Sequence, residues 1–185
     1  MKSVLVVYGT TDGQTRKIAE FIADALKAAH VHVDLVDSAS EGAALVQPVY
    51  AAAIVCGSLH EHRFQASLRR FVKHNSGWLA GLPAAFVAVS LTAALKDPKG
   101  GEELQGLVAE FSRETDWTPA ITHHVAGALR YTEYDFFKRL IVQLVARRQG
   151  GDTDSAHDHE YTDWEDLGRF VDDFLDAIEL QEGHQ

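Results

Sequence analysis

Apolar, β-branched runs alternate with helical patterns over the first 128 residues, and no other feature of the chain constrains its fold as strongly. Ser3–Tyr8 (SVLVVY) suits a strand buried on both faces and ends in the turn residues Gly9–Gly13. Gln14–Ala29 follows with Ile18, Ile22, Ala25, Leu26 and Ala29 at helical spacing. The pattern then repeats. His32–Val36 reads as a second strand and Ala51–Gly57 as a third, followed by a helix over Gln65–His74 with Leu68, Phe71 and Val72 on one side. Ala84–Ser90 makes a fourth strand, and a polar Lys96–Gly101 loop leads to a helix over Glu102–Thr115 and a fifth strand over Ile121–Ala128. Such alternation implies parallel strands joined by right-handed crossovers, with helices on both faces of the sheet. The expected class is therefore α/β, a doubly wound five-stranded parallel sheet of order 2-1-3-4-5. In that order strands 1 and 3 depart in opposite directions and a ligand crevice opens at their carboxyl ends.

One closing helix completes this plan, and Asp163–Leu180 supplies it with Trp164, Leu167, Phe170, Val171, Phe174, Leu175 and Ile178 on its apolar side. Thr162 and Glu165 form a capping-box pattern at its start. Between the fifth strand and this helix stands a surplus of about 34 residues, Leu129–Thr162, containing a further helical pattern over Asp135–Arg148 that Gly150–Gly151 stop. With 185 residues, one domain is expected over 1–185, with an insert at about 129–162. A chain of that size buries roughly 70% of its unfolded surface and needs no disulfide or structural metal. The lone Cys56 excludes an intrachain disulfide in any case.

Targeting and charge narrow the function. The apolar run after Lys2 is too short for a secretory signal, and no run approaches the roughly 18 apolar residues of a membrane span. A reducing cytoplasmic setting is the expectation. Residues 151–185 hold 12 Asp/Glu against one Arg, so the overall charge of −10 belongs to that region. Such a balance argues against an extended nucleic-acid footprint.

The loop YGTTDGQT (Tyr8–Thr15) places backbone N–H groups and a helix N-terminus at the expected crevice, a ready anion site. It ends in no Gly-Lys-Ser/Thr and lacks the G-x-G-x-x-G spacing of a pyrophosphate loop. The hydroxyls of Thr10, Thr11 and Thr15, with no cation before Arg16, instead suit a small phosphate monoester such as that of FMN. A polar strand-to-helix turn capped by Thr or Asp would carry the same residues. Two further loops fall at the same edge, Ser58–Phe64 (SLHEHRF) and Leu91–Leu95 (LTAAL). Their amides suit the pyrimidine edge of a flavin, where reduction places negative charge, and His60, His62 or Phe64 suits a ring face. Solvated loop histidines are the plainer reading of His60 and His62. His60-x-His62 and His157-x-His159 lack the partners of a zinc site, so no metal is expected.

The chain as a whole resembles the flavodoxin-type, menaquinone-dependent protoporphyrinogen oxidase family of haem synthesis. The resemblance runs over nearly its full length. It rests on TTDGQTRKIA after the first strand, LPAAFVAVSL at the fourth, and AGALRYTEYDFF…GGDTDSAHDHEYTDWEDLGRF from Ala126 to Phe170. Gly127–Tyr131 (GALRY) and Tyr161–Glu165 (YTDWE) are the specific stretches. The resemblance implies a flavodoxin-like fold whose bound FMN takes electron pairs from protoporphyrinogen IX, six electrons per porphyrin in three cycles, and passes them to a membrane quinone, menaquinone or ubiquinone. By position, Thr10, Asp12, Gly13, Gln14 and Thr15 would hold the phosphate. The ring would lie against Ser58, Leu59, His60, Glu61, His62 and Arg63, and against Ser90, Leu91, Thr92, Ala93 and Ala94. The insert presents Arg130, Tyr131, Lys138, Arg139, Arg147 and Arg148 beside bulky apolar residues, suited to an amphipathic carboxylate substrate or to peripheral contact with an anionic membrane at the cytoplasmic face. A packed extra helix offsetting the acidic tail is the other reading. One loop departs from the family: where its pattern reads Ser-Ile-Arg-Tyr-Gly, this chain has Ser58-Leu59-His60-Glu61-His62. That change bears on the substrate rather than on FMN. The alternatives are a flavodoxin-like electron carrier, which has no need of the insert, and a general NAD(P)H- or quinone-linked flavin reductase. The oligomeric state stays open.

Overall fold

A computed structural model describes residues 3–60, 62–91, 93, 98–129 and 159–182. Its elements are β1 Ser3–Gly9, α1 Gln14–Ala28, β2 His32–Asp37, a short 3₁₀ turn over Glu41–Leu45, β3 Ala52–His60, β4 Arg63–Phe64, α2 Ala66–Leu79, β5 Ala84–Ser90, α3 Pro98–Thr115, β6 Ile121–Ala126, β7 Ala128–Leu129, β8 His159–Glu160 and α4 Trp164–Glu182. Five strands run parallel in the order β2-β1-β3-β5-β6. Counting only these five, the order is the 2-1-3-4-5 expected from the alternation of strands and helices.

Two cores form because successive side chains of a strand face opposite sides of the sheet. Val4, Val6, Tyr8, Ile54, Cys56 and Val87 pack against Ile18, Ile22 and Leu26 of α1 and Leu167, Val171 and Phe174 of α4. Leu5, Val7, Val55 and Phe86 face the other way, onto Leu68 and Val72 of α2 and Phe111 of α3, with Trp117 beside it. Phe86 and Phe111 stack at 4.6 Å between ring centres. The central strands β1, β3 and β5 are therefore mostly apolar and buried, while the edge strand β2 is nowhere fully buried.

Several boundaries differ from the sequence reading, each for a physical reason. The segment expected as the loop Ser58–Phe64 is a hairpin: β3 continues to His60 and pairs antiparallel with β4 through Leu59 opposite Phe64 and His60 opposite Arg63. Helix α2 runs on past His74 to Leu79, because Asn75 and Leu79 add to the same buried face as Val72. Asn75 Nδ2 also donates to Phe71 O at 2.9 Å. Helix α3 starts at Pro98 rather than Glu102, proline being tolerated in a first turn where its missing N–H would find no partner. The Thr162/Glu165 capping box does not form. Asp163 caps α4 instead, its Oδ1 accepting from Asp166 N at 3.0 Å. Beyond β6, the chain enters and leaves the surplus segment through the antiparallel pair β7–β8, with Ala128 opposite Glu160 and Leu129 opposite His159. Among the described residues, no helix is long and apolar enough to cross a membrane.

Candidate functional site

The order β2-β1-β3 places the reversal of winding between β1 and β3, so the crevice opens beside Gly9 and Gly57, which lie opposite one another in the register. The β1–α1 loop crosses this point. Gly9 allows a close approach there: a Cβ on it would stand 2.9 Å from Leu68 Cβ and 3.2 Å from Gln65 Oε1. Gly13 occupies the N-cap of α1 at φ 90°, a left-handed conformation open to glycine and costly for residues with a Cβ. Its amide donates to Thr10 Oγ1 at 2.9 Å, which folds the loop back on itself.

This loop fits an anion. No side chain caps α1 and its first turn holds no acidic residue, so the amides at its N-terminus have no intrahelical acceptor and no carboxylate competitor. The Oγ1 of Thr15 is buried in that same turn without a hydrogen-bond partner, a costly state for a hydroxyl unless a ligand satisfies it. Arg16, the first cation after the loop, is directed along the helix to Glu20 at 2.8 Å. Recognition would thus rest on amides and hydroxyls, as the sequence led one to expect for a phosphate monoester.

Not every predicted residue of the loop faces the crevice. The side chain of Gln14 is nearly buried and donates through Nε2 to Thr162 Oγ1 at 2.9 Å. Thr11 Oγ1 instead accepts from Gln65 Nε2 at 3.3 Å. Gln65 was not singled out by sequence reasoning, yet it joins two of the predicted loops. Its Nε2 also donates to Ser58 Oγ at 2.5 Å, and its Oε1 accepts from Ser58 N at 3.3 Å. Nothing in local spacing signals this role; only its place directly before α2 and seven residues after Ser58 hints at it.

Of the two ring loops, the hairpin is the better defined. Leu59 packs against the α2–α3 core. His62 turns the hairpin at φ 61°, and its Nδ1 lies 3.3 Å from Glu103 Oε1 of α3. Arg63 pairs with Glu114, which Arg69 also reaches at 2.9 Å. These two cations hold the Glu114 carboxyl below the usual carboxylate range, chiefly through their hydrogen bonds. His62 and Arg63 are therefore directed toward α3 in this structure. At the end of β5, the buried Ser90 accepts Ala93 N on its Oγ at 3.1 Å and Gly127 N on its carbonyl at 3.1 Å. Leu91 and Ala93 are described and partly covered. Glu61, Thr92 and Ala94 lie outside the described residues, as do Arg130, Tyr131, Lys138, Arg139, Arg147 and Arg148.

A second concavity, a groove of about 700 Å³, runs along β6 between Val108, Ala109 and Ser112 of α3 and Thr122 and His124 of the strand. It includes none of the residues predicted to hold a cofactor. His124 is pushed below the ordinary histidine range by burial and by neighbouring His123, and its Nδ1 has no partner. Among the described residues, no group of three or more His, Cys, Asp or Glu side chains is arranged to hold a metal ion.

A family model described as a flavodoxin domain matches residues 5–156. A protein of Leishmania major named protoporphyrinogen IX dehydrogenase (quinone) is 34% identical over 171 residues, covering 92% of this chain and 73% of that one. A protein of the same name from Escherichia coli strain K12 is 30% identical over 170 residues, covering 90% of this chain and 91% of that one. Oxidised flavodoxin 2 from Bacillus cereus superposes with a TM-score of 0.59 at 16% identity, over 95% of this chain and 99% of that one, a likeness of fold alone.

Proposed function

The chain belongs to the flavodoxin-domain family that includes the quinone-dependent protoporphyrinogen IX dehydrogenases, and from that membership we propose that it is itself such an enzyme, with FMN as its flavin. The observation that carries FMN rather than a dinucleotide is the buried, unpartnered Thr15 hydroxyl in an uncapped first turn at the winding reversal. That turn suits one phosphate monoester and lacks the glycine spacing of a pyrophosphate loop.

Bound there, FMN would supply the acceptance of an electron pair and its delivery to a quinone. Oxidising protoporphyrinogen IX to protoporphyrin IX removes six electrons and six protons, which balances with three quinones reduced to three quinols. The chain's own residues bind and orient. The first-turn amides of α1 and Thr15 Oγ1 hold the phosphate, and Thr10 and Thr11 shape the loop around it. Ser58, Leu59 and His60 on the β3 hairpin, with Ser90 at the end of β5 and Leu91 and Ala93 beyond it, would border the ring from two adjacent strands. Among these, backbone amides are the donors suited to charge on a reduced ring. Glu61, Thr92 and Ala94 complete the two loops by sequence position.

Arg130, Lys138, Arg139, Arg147 and Arg148, with Tyr131, are the candidates for holding substrate propionates or for touching anionic lipid, on the grounds of their sequence alone. A cytoplasmic enzyme meeting its quinone at the membrane surface agrees with that basic stretch.

Denaturing the purified protein and identifying the released flavin tests the cofactor; recovery of FAD alone would overturn FMN. Anaerobic stopped-flow reduction then separates the activities. Fast flavin bleaching by protoporphyrinogen IX, followed by reoxidation with menaquinone or ubiquinone, is expected. Reduction by NADH alone, or only by a reduced carrier protein, would assign the chain to a general reductase or to an electron carrier.

A further inference from the structure

The flavin reading leaves Tyr161–Glu165, a stretch distinctive in sequence, without a task, and the structure brings three of these residues, Tyr161, Thr162 and Trp164, to a single junction. Tyr161 N donates to Gly127 O at 3.2 Å, closing the base of the β7–β8 pair. Thr162 is not the helix cap, so its hydroxyl is available for longer-range contacts. It donates to Ala126 O at 2.8 Å, at the end of β6, and accepts from Gln14 Nε2 at 2.9 Å. Trp164 packs against Phe21 of α1, the ring centres 5.1 Å apart. Three elements distant in sequence, the first turn of α1, the end of β6 and the start of α4, thus meet on one hydroxyl.

Gln14 opens the turn whose amides face the phosphate position, and the residue is only 8% exposed. A nearly buried amide that loses its partner must move or stay unsatisfied, and either outcome disturbs that turn. We propose that Thr162 and Gln14 are positioning residues for the cofactor: their hydrogen bond locks the phosphate-binding first turn of α1 to the β7–β8 base, so that FMN affinity depends on Thr162 and FMN in turn steadies that base. Neither residue's side chain need touch the reacting atoms. The proposal rests on the FMN reading.

The test measures FMN dissociation constants by quenching of flavin fluorescence, together with amide hydrogen exchange at Tyr161 in the apoprotein and holoprotein. Thr162→Val keeps the shape and removes the hydroxyl; Thr162→Ser keeps the hydroxyl. Loss of one hydrogen bond predicts a roughly three- to tenfold weaker affinity for Thr162→Val and for Gln14→Leu. The double variant is expected to be no weaker than either single one, because both remove the same bond. Thr162→Ser should bind as the parent does. Adding FMN should slow Tyr161 exchange in the parent and not in Thr162→Val. Parent-like affinity in Thr162→Val would overturn the proposal, as would equal weakening in Thr162→Ser accompanied by equal loss of apoprotein melting temperature. A parent chain that fails to bind FMN would overturn the cofactor reading and this proposal together, whereas a binding parent with an unaffected Thr162→Val overturns this proposal alone.

Discussion

Gln65 grips Ser58 at two points, donating through Nε2 to its Oγ at 2.5 Å and accepting its backbone N–H on Oε1 at 3.3 Å. The same amide nitrogen reaches Thr11 at 3.3 Å. One side chain therefore sets the distance between the β1–α1 loop and the β3 hairpin, the two walls of the proposed flavin site. Gln65→Leu, similar in volume, should weaken FMN binding by about 1 kcal/mol, the net worth of a hydrogen bond. Fluorescence titration of the apoprotein checks this, and a dissociation constant equal to the parent's would remove Gln65 from the site.

Thr15 offers a prediction with two opposite signs. Its hydroxyl is buried without a partner, so Thr15→Val should leave the apoprotein as stable as the parent or more so. If that hydroxyl meets a phosphate, the same variant should lose on the order of 1–3 kcal/mol of FMN binding, the range for a hydrogen bond to a charged group. Melting of the apoprotein and titration with FMN give the two numbers. A variant that binds FMN like the parent contradicts the role.

His62 sits at φ 61°, where a Cβ crowds the carbonyl that follows it and where the family pattern has glycine. His62→Gly should raise the unfolding free energy by up to about 1 kcal/mol, since relief of that crowding exceeds the added freedom of glycine in the unfolded chain. The exposed contact with Glu103 that it gives up is worth little. Calorimetry showing a lower melting temperature would refute the strain argument.

Acid should destabilise the fold before its carboxylates titrate. Burial is the main force lowering His123, against the opposing pull of Asp166 and Asp173, and burial also lowers His124. A histidine depressed in the folded state binds its proton more readily once unfolded. Its contribution is complete above the ordinary histidine value and is lost as pH falls below about 6.5. Urea midpoints should therefore drop between pH 7 and 5.5, and His124→Gln should flatten that drop. A midpoint constant over this range in the parent would exclude the effect.

Cys56 lies in the centre of β3 and is fully buried, and burial alone drives its thiol far above the ordinary range. Without thiolate, it is a packing residue. Ellman's reagent should leave the native protein unmodified and react with one thiol per chain in denaturant. Rapid labelling of the native protein would show that β3 opens.

How far the sequence reached depends on the distance over which each feature acts. The order of the five parallel strands was legible because apolar runs and helical spacing are local, and parallel pairing leaves few ways to connect them. The β1–α1 loop was legible for the same reason, its glycines and hydroxyls lying within eight residues. The hairpin at Ser58–Phe64 was hidden: His60, Glu61, His62 and Arg63 include no Gly or Asn to mark the turn, and Glu114, which engages Arg63, lies 51 residues on. Gln65 and Thr162 were missed as site residues because their partners come from other elements.

The sequence by itself determined the five parallel strands, the four helices that pack on them, the reversal of winding beside β1 and the make-up of the β1–α1 loop, because each depends on neighbours a few residues apart. Only the tertiary structure decided how that loop is held. Gln14 meets Thr162 across 148 residues and Thr11 meets Gln65 across 54. Such contacts join the β1–α1 loop to residues beside the carboxyl ends of β3 and β6, and side-chain hydrogen bonds between segments leave no periodic trace in the chain.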